Sequence, residues 1–241
     1  MHTTLCIDFG NTRLKAAVFK DDLLENLVIL EQEDKQTIEK LLTDYRPDCS
    51  ILSSVIHHQP ETEDILKYHT RFHRLNHQST LPFTTPVSKP ETIGADRLAL
   101  CAAATLLFPQ QNNLIIGLGS CITYNFLNLR HQFLGGSISP GLAMRFKSMH
   151  DHTALLPLVN IDWNFPLIGY DTKTNILSGV ANGMAKEIDG IIEAYEEKFD
   201  RLAVLLTGGD TLHFAPLLKK RIFADPHLMF KGLYAISLCN R

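Results

Sequence analysis

The first third of the chain alternates apolar and polar residues in a way that predicts several strands and one helix. In residues 34–45 the apolar side chains recur at helical spacing, and Pro47 marks the end of that helix. Shorter apolar runs separated by polar turns predict strands at residues 5–9, 14–19, 23–30 and 50–55. The order strand, strand, strand, helix, strand is typical of an α/β fold with a mixed sheet.

The alternation of elements continues to the end of the chain. Three prolines make residues 81–90 an irregular crossing, and an Ala- and Leu-rich helix follows from Gly94 to about Phe108, before Pro109. The further elements predicted are strands at 113–118, 126–129 and 202–206, a glycine-rich turn at 135–141, helices at 142–149 and 174–199, a loop at 155–169 and a helix end at 233–238.

One short pattern occurs twice: an apolar strand, a turn with glycine, a small polar residue and a second strand. It covers residues 7–12 in the first copy and 116–121 in the second. The repeat predicts two similar halves, residues 1–112 and 113–241, and two such halves that face each other form a cleft where ligands bind. The copies differ at one position, where the first has Asp8 and the second has Gly117.

The polar turn of the first copy is a candidate phosphate site. Asp8 can hold Mg²⁺ directly or through water, and Gly10 lets the backbone approach a phosphate closely. Backbone N–H groups, Asn11, Thr12 and the Lys15 ammonium can then hydrogen-bond the phosphate oxygens. The alternative is an ordinary hairpin with a polar turn.

Three further groups of polar residues are candidates for chemistry. Asp96 and Arg97 fall in the first turn of a predicted helix, where an acid complements the helix dipole but a cation does not. The Gly-Gly pair at 208–209 follows a strand and can admit a ring or a phosphate closely, or form only a tight turn. The histidines at 69, 73 and 77 would share a helical face, yet no carboxylate joins them and the surrounding residues favour a strand, so metal binding is not predicted.

Composition narrows the class of protein. The chain has 241 residues, 45% hydrophobic and 20% charged, which suits a globular protein of one large or two small domains. A net charge of −3 without a basic stripe gives no reason to expect nucleic acid as a partner. Its five cysteines are scattered, and neither a signal peptide nor an apolar run of membrane-spanning length is evident, so a cytoplasmic location and no membrane partner are expected.

Five motifs, in their order and spacing, resemble those of the type III pantothenate kinases. The resemblance extends from about residue 4 to 235 and is especially close to members from the Bacteroidetes. The motifs are Asp8-x-Gly-Asn-Thr-x-x-Lys15, Gly94-Ala-Asp-Arg97, Gly119-Ser-Cys-Ile-Thr123, Gly135-Gly-Ser-Ile-Ser-Pro-Gly141 and Thr207-Gly-Gly209.

The resemblance implies the fold of the acetate/sugar kinase, Hsp70 and actin superfamily, in which two ribonuclease H-like halves with mixed sheets and flanking helices hold ATP in the cleft between them. It implies transfer of the ATP γ-phosphoryl group to the primary hydroxyl of pantothenate, giving 4'-phosphopantothenate, the first step of coenzyme A synthesis. It also implies Mg²⁺, a monovalent cation such as potassium or ammonium, and a homodimer with pantothenate near the subunit interface.

The resemblance also assigns roles by position. Asp96 would be the proton acceptor, and Asp8 a candidate Mg²⁺ ligand. The residues assigned to ATP are Asp8, Phe9, Gly10, Asn11, Thr12, Arg13, Leu14, Lys15, Ser120, Thr207, Gly208 and Gly209. Those assigned to pantothenate are Gly94, Ala95, Asp96, Arg97, Thr174 and Val87.

This chain departs from the family pattern at four positions. Family members usually carry an Asp that binds the monovalent cation where this chain has Gly117, a second Asp at Asn125, Thr at Ser120 and, in many, an aromatic residue at Val87. Loss of outer metal-site residues alone costs about 10–100-fold. Three hypotheses follow: a pantothenate kinase with altered cation dependence or weak activity, an impaired paralogue that binds nucleotide or pantothenate or acts as an accessory regulatory protein, or a kinase for another small alcohol.

Overall fold

The computed structural model describes residues 2–240, which divide into two compact units. The first unit contains the chain up to Pro109, the short segment His131–Phe133 and the C-terminal segment from His227. The second contains Gln110–Arg130 and Leu134–Pro226. The strands are β1 (Thr3–Phe9), β2 (Leu14–Lys20), β3 (Leu23–Leu30), β4 (Cys49–Ser54), β5 (Arg71–Arg74), β6 (Asn112–Leu118), β7 (Cys121–Leu127), β8 (Phe133–Pro140), β9 (Leu202–Gly208) and β10 (Phe223–Ala224). The helices are α1 (Lys35–Tyr45), α2 (Pro60–His69), α3 (Ala95–Leu107), α4 (Leu142–Asp151), α5 (Thr172–Lys198), α6 (Thr211–Phe214) and α7 (Leu228–Cys239).

The first unit is built on a mixed five-stranded sheet in the order β3-β2-β1-β4-β5. Strand β1 is antiparallel to β2 and parallel to β4, so the ends of β1 and β4 lie side by side. On one face, Leu5, Ile7 and Phe9 pack with the apolar side chains of α1 and α2. Helices α3 and α7 pack together, and α7 contacts β1 and β4. The ring of Phe19, on β2, stacks on Tyr234 of α7 with centroids 4.5 Å apart.

The contact between α7 and α3 is so close that only glycine fits. A Cβ at Gly232 would overlap the backbone of Ala99, and both residues are buried. Along α3 the buried residues run from Ala95 to Thr105, and many of them are alanines, which let the neighbouring backbone approach. The position of α3 relative to the first sheet is therefore set by a backbone-to-backbone contact.

The second unit has a five-stranded sheet in the order β10-β9-β6-β7-β8. Strand β6 is antiparallel to β7 and parallel to β9, which repeats the arrangement of β1 with β2 and β4. Buried residues of α4 and α5, such as Phe146 and Met184, pack with Ile116, Leu118 and Leu206 in one apolar cluster. The predicted mixed-sheet α/β fold with a repeated unit is confirmed.

The structure corrects the sequence prediction in three places. The glycine-rich segment predicted as a turn is strand β8, which pairs with β7. Glycine is needed here because Gly135 and Gly136 adopt φ values of +105° and +148°. A Cβ at Gly136 would also overlap the Tyr124 carbonyl of β7. Helix α2 was not predicted, since its burial rests on only Thr62 and Leu66. Helix α7 begins five residues before the predicted apolar helix end at 233 and packs in the first unit, although residues 113–241 were expected to form the second half.

Within residues 2–240, no helix combines the length and the apolar character that a bilayer crossing requires.

Gly232→Ala should lower the free energy of unfolding by about 2–4 kcal/mol, because overpacking against the α3 backbone forces the two helices apart. Urea denaturation monitored by circular dichroism measures this. Gly179→Ala is the matched control: that glycine is exposed in α5 with no atom within 4 Å of an added Cβ, so Ala should stabilise by roughly 0.5–1 kcal/mol. Equal effects of the two substitutions would contradict the packing argument.

Candidate active site

Asp8 lies at the end of β1, between polar residues of the two neighbouring strands. The register pairs it with Lys15 of β2 on one side and with Ser53 of β4 on the other. Directly after it, the Gly10 amide donates to the Arg13 carbonyl at 3.2 Å and closes the turn. The side chains of Asn11, Thr12 and Arg13 are exposed, and residues 10–14 line a pocket of about 310 Å³ with Ile29, Leu30, Glu31 and Ile56.

Asp96 reaches the same region from the start of α3. The helix begins after Gly94, whose carbonyl accepts the Arg97 amide at 3.0 Å. The Asp96 carboxylate turns back over Gly94 so closely that a Cβ there would overlap its Oδ1 atom. Gly94 thus makes room for the carboxylate, which is why the first turn of α3 can present Asp96 beside the end of β1.

Asp8 and Asp96 lie within range of electrostatic interaction. Burial and, next, the negative charge of Asp96 raise the pKa of Asp8 to about 7, against the opposing effects of the Ser53 hydroxyl and the Lys15 ammonium. Burial also raises the pKa of Asp96, although the Arg97 amide and guanidinium act in the other direction. Because a bound cation stabilises the ionised form of buried carboxylates, this is a candidate site for Mg²⁺ and a polyphosphate.

Arg97 is oriented by a residue that the sequence analysis did not single out. Its guanidinium carbon lies 5.4 Å from the centre of the buried Phe133 ring, within cation–π range. Phe133 belongs to the short segment that joins the first unit, where its amide donates to Thr84 O at 2.8 Å. Val87 follows Thr84 on this irregular segment and is partly buried. Phe133 contacts Arg97 although the two residues are far apart in the sequence, so no local sequence pattern could have identified Phe133 as part of the site.

The second unit contains a turn that corresponds to the Gly10 turn of the first unit. Ser120 follows β6, and its carbonyl accepts the Gly141 amide at 3.1 Å, which ties the start of α4 to this turn. Gly117 lies between Thr123 of β7 and Thr207 of β9 in the register, so both threonines share its face of the sheet. Residues 208 and 209 come directly after the register partner of Gly117. The structure therefore brings Ser120 and the segment 207–209 to the same end of one sheet.

Asn125 is fully buried and serves the second sheet. Its amide donates to the Ile115 carbonyl at 3.1 Å and to the Thr123 hydroxyl at 3.2 Å. A carboxylate in its place could not donate these bonds. The position where an Asp was expected is thus occupied by a neutral side chain that the β6–β7 pair uses for hydrogen bonding.

Thr174, expected near the substrate, has a clear structural role at the start of α5. It forms a capping box with Asp171: the Thr174 amide donates to Asp171 Oδ1 at 2.7 Å, and its hydroxyl accepts the Asp171 amide at 3.1 Å. The same hydroxyl accepts the Tyr170 amide at 3.0 Å. The cap fixes the beginning of the helix whether or not a ligand is bound.

A second network missed by sequence analysis holds the junction between β8 and α4 at residues 139–141. Arg145 pairs with Glu187 and donates to the Pro140 carbonyl at 2.8 Å. Although burial acts to raise it, hydrogen bonds led by that from Arg145 hold the pKa of Glu187 below its ordinary value. The ion pair therefore persists at neutral pH and stabilises the junction at which the Gly141 amide donates to Ser120.

The histidines at positions 69, 73 and 77 lie on different elements of the first unit. His69 ends α2, His73 lies in β5 and donates or accepts a hydrogen bond with Ser79 at 2.8 Å, and His77 follows in a turn. Across residues 2–240, no three His, Cys, Asp or Glu side chains lie together as a metal-binding group.

Comparison with solved structures supports the fold class. The chain is similar to a Baf family protein from Campylobacter jejuni, with a TM-score of 0.62 and 22% identity over 96% of each chain. It is also similar to an inorganic polyphosphate/ATP-glucomannokinase from Arthrobacter sp. strain KM, with a TM-score of 0.51 and 13% identity over 99% of this chain and 98% of the other. These likenesses support an α/β fold with two mixed sheets flanked by helices.

The sequence comparisons identify the family. A type III pantothenate kinase family model matches residues 4–194. A type III pantothenate kinase from Flavobacterium johnsoniae is 41% identical over 232 residues, 95% of each chain. Another, from Christiangramia forsetii, is 42% identical over 239 residues, 98% of each chain. This chain belongs to the type III pantothenate kinase family, as the motifs indicated.

Gly94→Ala should lower kcat about tenfold or more, because the added methyl displaces the Asp96 carboxylate from its position at the start of α3. The unfolding free energy should fall by no more than about 1 kcal/mol, since the displaced atoms belong to a side chain. Steady-state kinetics and urea denaturation measure the two effects. If Gly94 acts through Asp96, adding Gly94→Ala to Asp96→Asn should cost little further activity; full additivity would contradict this.

Asp8→Asn should stabilise the ligand-free protein at pH 8.5. A folded-state pKa of about 7 means that the folded chain holds the proton more tightly than the unfolded chain, so stability falls as pH rises from about 4 to 7. The Tm gain of the variant should be largest above pH 7 and shrink toward pH 4. Asp34→Asn is the sign control, because hydrogen bonds from Thr37 hold the pKa of Asp34 low and ionisation there favours folding. A pH-independent gain for Asp8→Asn would refute the prediction.

Proposed function

We propose that this protein phosphorylates pantothenate at its primary hydroxyl with ATP and so catalyses the first step of coenzyme A synthesis. The observation that carries this proposal is the juxtaposition of Asp8 and Asp96, which come from opposite ends of the first unit's sequence to one polar site. Membership of the type III pantothenate kinase family names the substrate class. The free cysteines at positions 6, 49, 101, 121 and 239 suit a reaction in the reducing cytoplasm.

The chemistry divides between positioning and charge neutralisation. Phosphoryl transfer proceeds through a loose transition state, so the enzyme mainly aligns the hydroxyl with the γ-phosphate and stabilises its charge. Asp96 accepts the hydroxyl proton, and the raised pKa of this carboxyl makes it a better acceptor than an ordinary aspartate. Arg97, held over Phe133, presents a forked donor for the pantothenate carboxylate. Gly94, Ala95, Val87 and Thr174 are the other residues that we assign to this substrate.

The nucleotide contacts come from loops of both units. In the first unit, residues 8–15 supply backbone N–H groups, the Asn11 and Thr12 side chains and the Lys15 ammonium to the phosphates. In the second unit we assign Ser120 to the phosphates and residues 207–209 to the adenosine. Asp8 would hold Mg²⁺, which neutralises the phosphate oxygens; a single protein carboxylate is enough because Mg²⁺ takes its other ligands from phosphates and water.

The donor set around Gly117 does not fit the monovalent cation that the family resemblance implies. Gly117 has no side-chain oxygen, and Asn125 directs its amide hydrogens to Ile115 and to the Thr123 hydroxyl. A carboxylate and its bound cation together carry no net charge, so their joint loss leaves the charge of the phosphate site unchanged. We therefore propose that potassium and ammonium are dispensable for this enzyme, and no step is assigned to them.

A homodimer is proposed from apolar residues exposed on the second unit. Ile138 is 61% exposed on the edge strand β8, and Leu167, Ile168 and Tyr170 are 79–84% exposed just before α5. Such residues mark interaction surfaces when they are contiguous. The segment that carries three of them leads directly to Thr174, so a partner seated there would lie next to a residue assigned to pantothenate.

Asp96→Asn should lower kcat for pantothenate by about 10²-fold or more, because the amide cannot accept the hydroxyl proton. A coupled ADP-release assay with pantothenate measures the rate, and product mass confirms phosphorylation. Asp64→Asn, on the exposed side of α2, is the matched control and should retain wild-type activity. ATP binding by the wild type without turnover would support an impaired paralogue, and turnover only with another alcohol would support a different substrate.

Replacing potassium and ammonium with tetramethylammonium should leave kcat nearly unchanged, whereas an enzyme that needs the cation as a ligand should lose about tenfold or more. The same coupled assay in cation-exchanged buffers measures this. Strict dependence on potassium or ammonium would show that other oxygen atoms build the cation site.

A further inference from the structure

A buried histidine that the proposed mechanism does not use lies beside residues 8–15, the first phosphate loop. The His58 side chain is only 4% exposed, although it comes from the loop between β4 and α2. Its Nδ1 atom lies 3.0 Å from the Ser54 hydroxyl, at the end of β4, and its Nε2 atom lies 3.0 Å from Glu63 Oε1. Both ring nitrogens are therefore engaged, and the imidazole has one defined orientation.

Glu63 is anchored by cations from two other elements. Arg74 of β5 donates to Glu63 Oε1 at 2.8 Å, and Lys67, one turn along α2, lies 3.4 Å from Oε2. Although burial acts to raise it, the hydrogen bond from His58 and these charges hold the pKa of Glu63 below its ordinary value. Because an ionised carboxylate only accepts hydrogen bonds, His58 must donate from Nε2. Helix α2 and β5 thus fix the His58 ring through a charged, largely enclosed contact.

The other side of the His58 ring contacts the phosphate loop itself. The ring meets Phe9 edge to face, with centroids 5.5 Å apart and planes at 70°. Phe9 is fully buried and lies between Asp8 and Gly10, and its carbonyl accepts the Val55 amide at 3.1 Å. A shift of Phe9 would therefore move the backbone on which both the Asp8 carboxylate and the Gly10 amide depend.

We propose that Ser54, His58 and Glu63 form a positioning cluster for the first phosphate loop, with His58 as the residue that fixes Phe9. This inference rests on the proposed function, since it assigns the loop to ATP. His58 touches no substrate in this scheme. Its effect on the reaction comes from keeping residues 8–10 in the geometry that binds MgATP, and the second substrate site at α3 does not depend on it.

The test separates ring contact from hydrogen bonding. His58→Leu removes both and should raise the KM for MgATP about tenfold or more, because small displacements of binding groups are costly, while the KM for pantothenate stays close to wild type. His58→Phe keeps a ring against Phe9 but loses the bonds to Ser54 and Glu63 that orient it, so it should raise the KM for MgATP less than His58→Leu does. His58→Gln can still donate to Glu63 but has no ring to contact Phe9, so it should raise that KM about as much as His58→Leu.

The matched control is His73→Leu. His73 is half-buried in the same unit and hydrogen-bonded to a serine hydroxyl, but no contact with Phe9 is recorded for it within residues 2–240. Its loss should leave both KM values unchanged. All kinetics are measured at least 15 °C below the Tm of each variant, so that unfolding does not contribute.

Three outcomes overturn the proposal: an unchanged KM for MgATP in His58→Leu, equal rises in both KM values, or no difference between His58→Leu and His73→Leu. If the Leu variant does not fold, the Phe and Gln variants decide. If the wild type does not phosphorylate pantothenate, the proposed function fails, but calorimetric affinity for a non-hydrolysable ATP analogue still tests the cluster. A loss of that affinity in His58→Gln that is smaller in His58→Phe supports it.

Discussion

The close approach of α7 to α3 is the constraint on which the first unit's site depends. Because Gly232 meets Ala99 backbone to backbone, α3 cannot shift without breaking this contact. Its first turn is thereby held where Asp96 interacts with Asp8. Helix α7, near the end of the chain, thus fixes the position of α3. The polar site at the first turn of α3 is therefore held in place by an apolar helix contact.

Ionisation of the two aspartates in this site, Asp8 and Asp96, is unfavourable for folding, because burial raises the pKa of both. The negative charge of Asp96 raises the pKa of Asp8 further. Carboxyl groups with pKa values shifted in this way are typical of functional sites. The nearby Lys15, Ser53 and Arg97 reduce the cost of ionisation without removing it, which is consistent with the Mg²⁺ and polyphosphate site proposed above.

The second unit repeats the arrangement of the first but with different chemistry. Gly117 stands where Asp8 stands in the first copy, and Asn125 uses its amide within the β6–β7 pair. The absence of the carboxylate and the proposed absence of its bound cation are consistent with each other, because a site without the carboxylate needs no counter-ion. Family membership over nearly the full chain and a complete set of polar residues in the first unit favour a working kinase over a degenerate paralogue.

The sequence by itself determined the local elements and the chemistry of the loops. The apolar spacing of residues 34–45 predicted α1, the turn at Gly10 joins the two strands that were predicted around it, and the motifs identified the family. Only the tertiary structure decided that residues 133–140 form a strand, that α7 packs in the first unit, and that Phe133 and His58 support Arg97 and Phe9. Periodicity and turn residues act over a few neighbours, so they are legible in the sequence. Contacts between backbones and rings far apart along the chain depend on how the elements pack, and no local pattern encodes them.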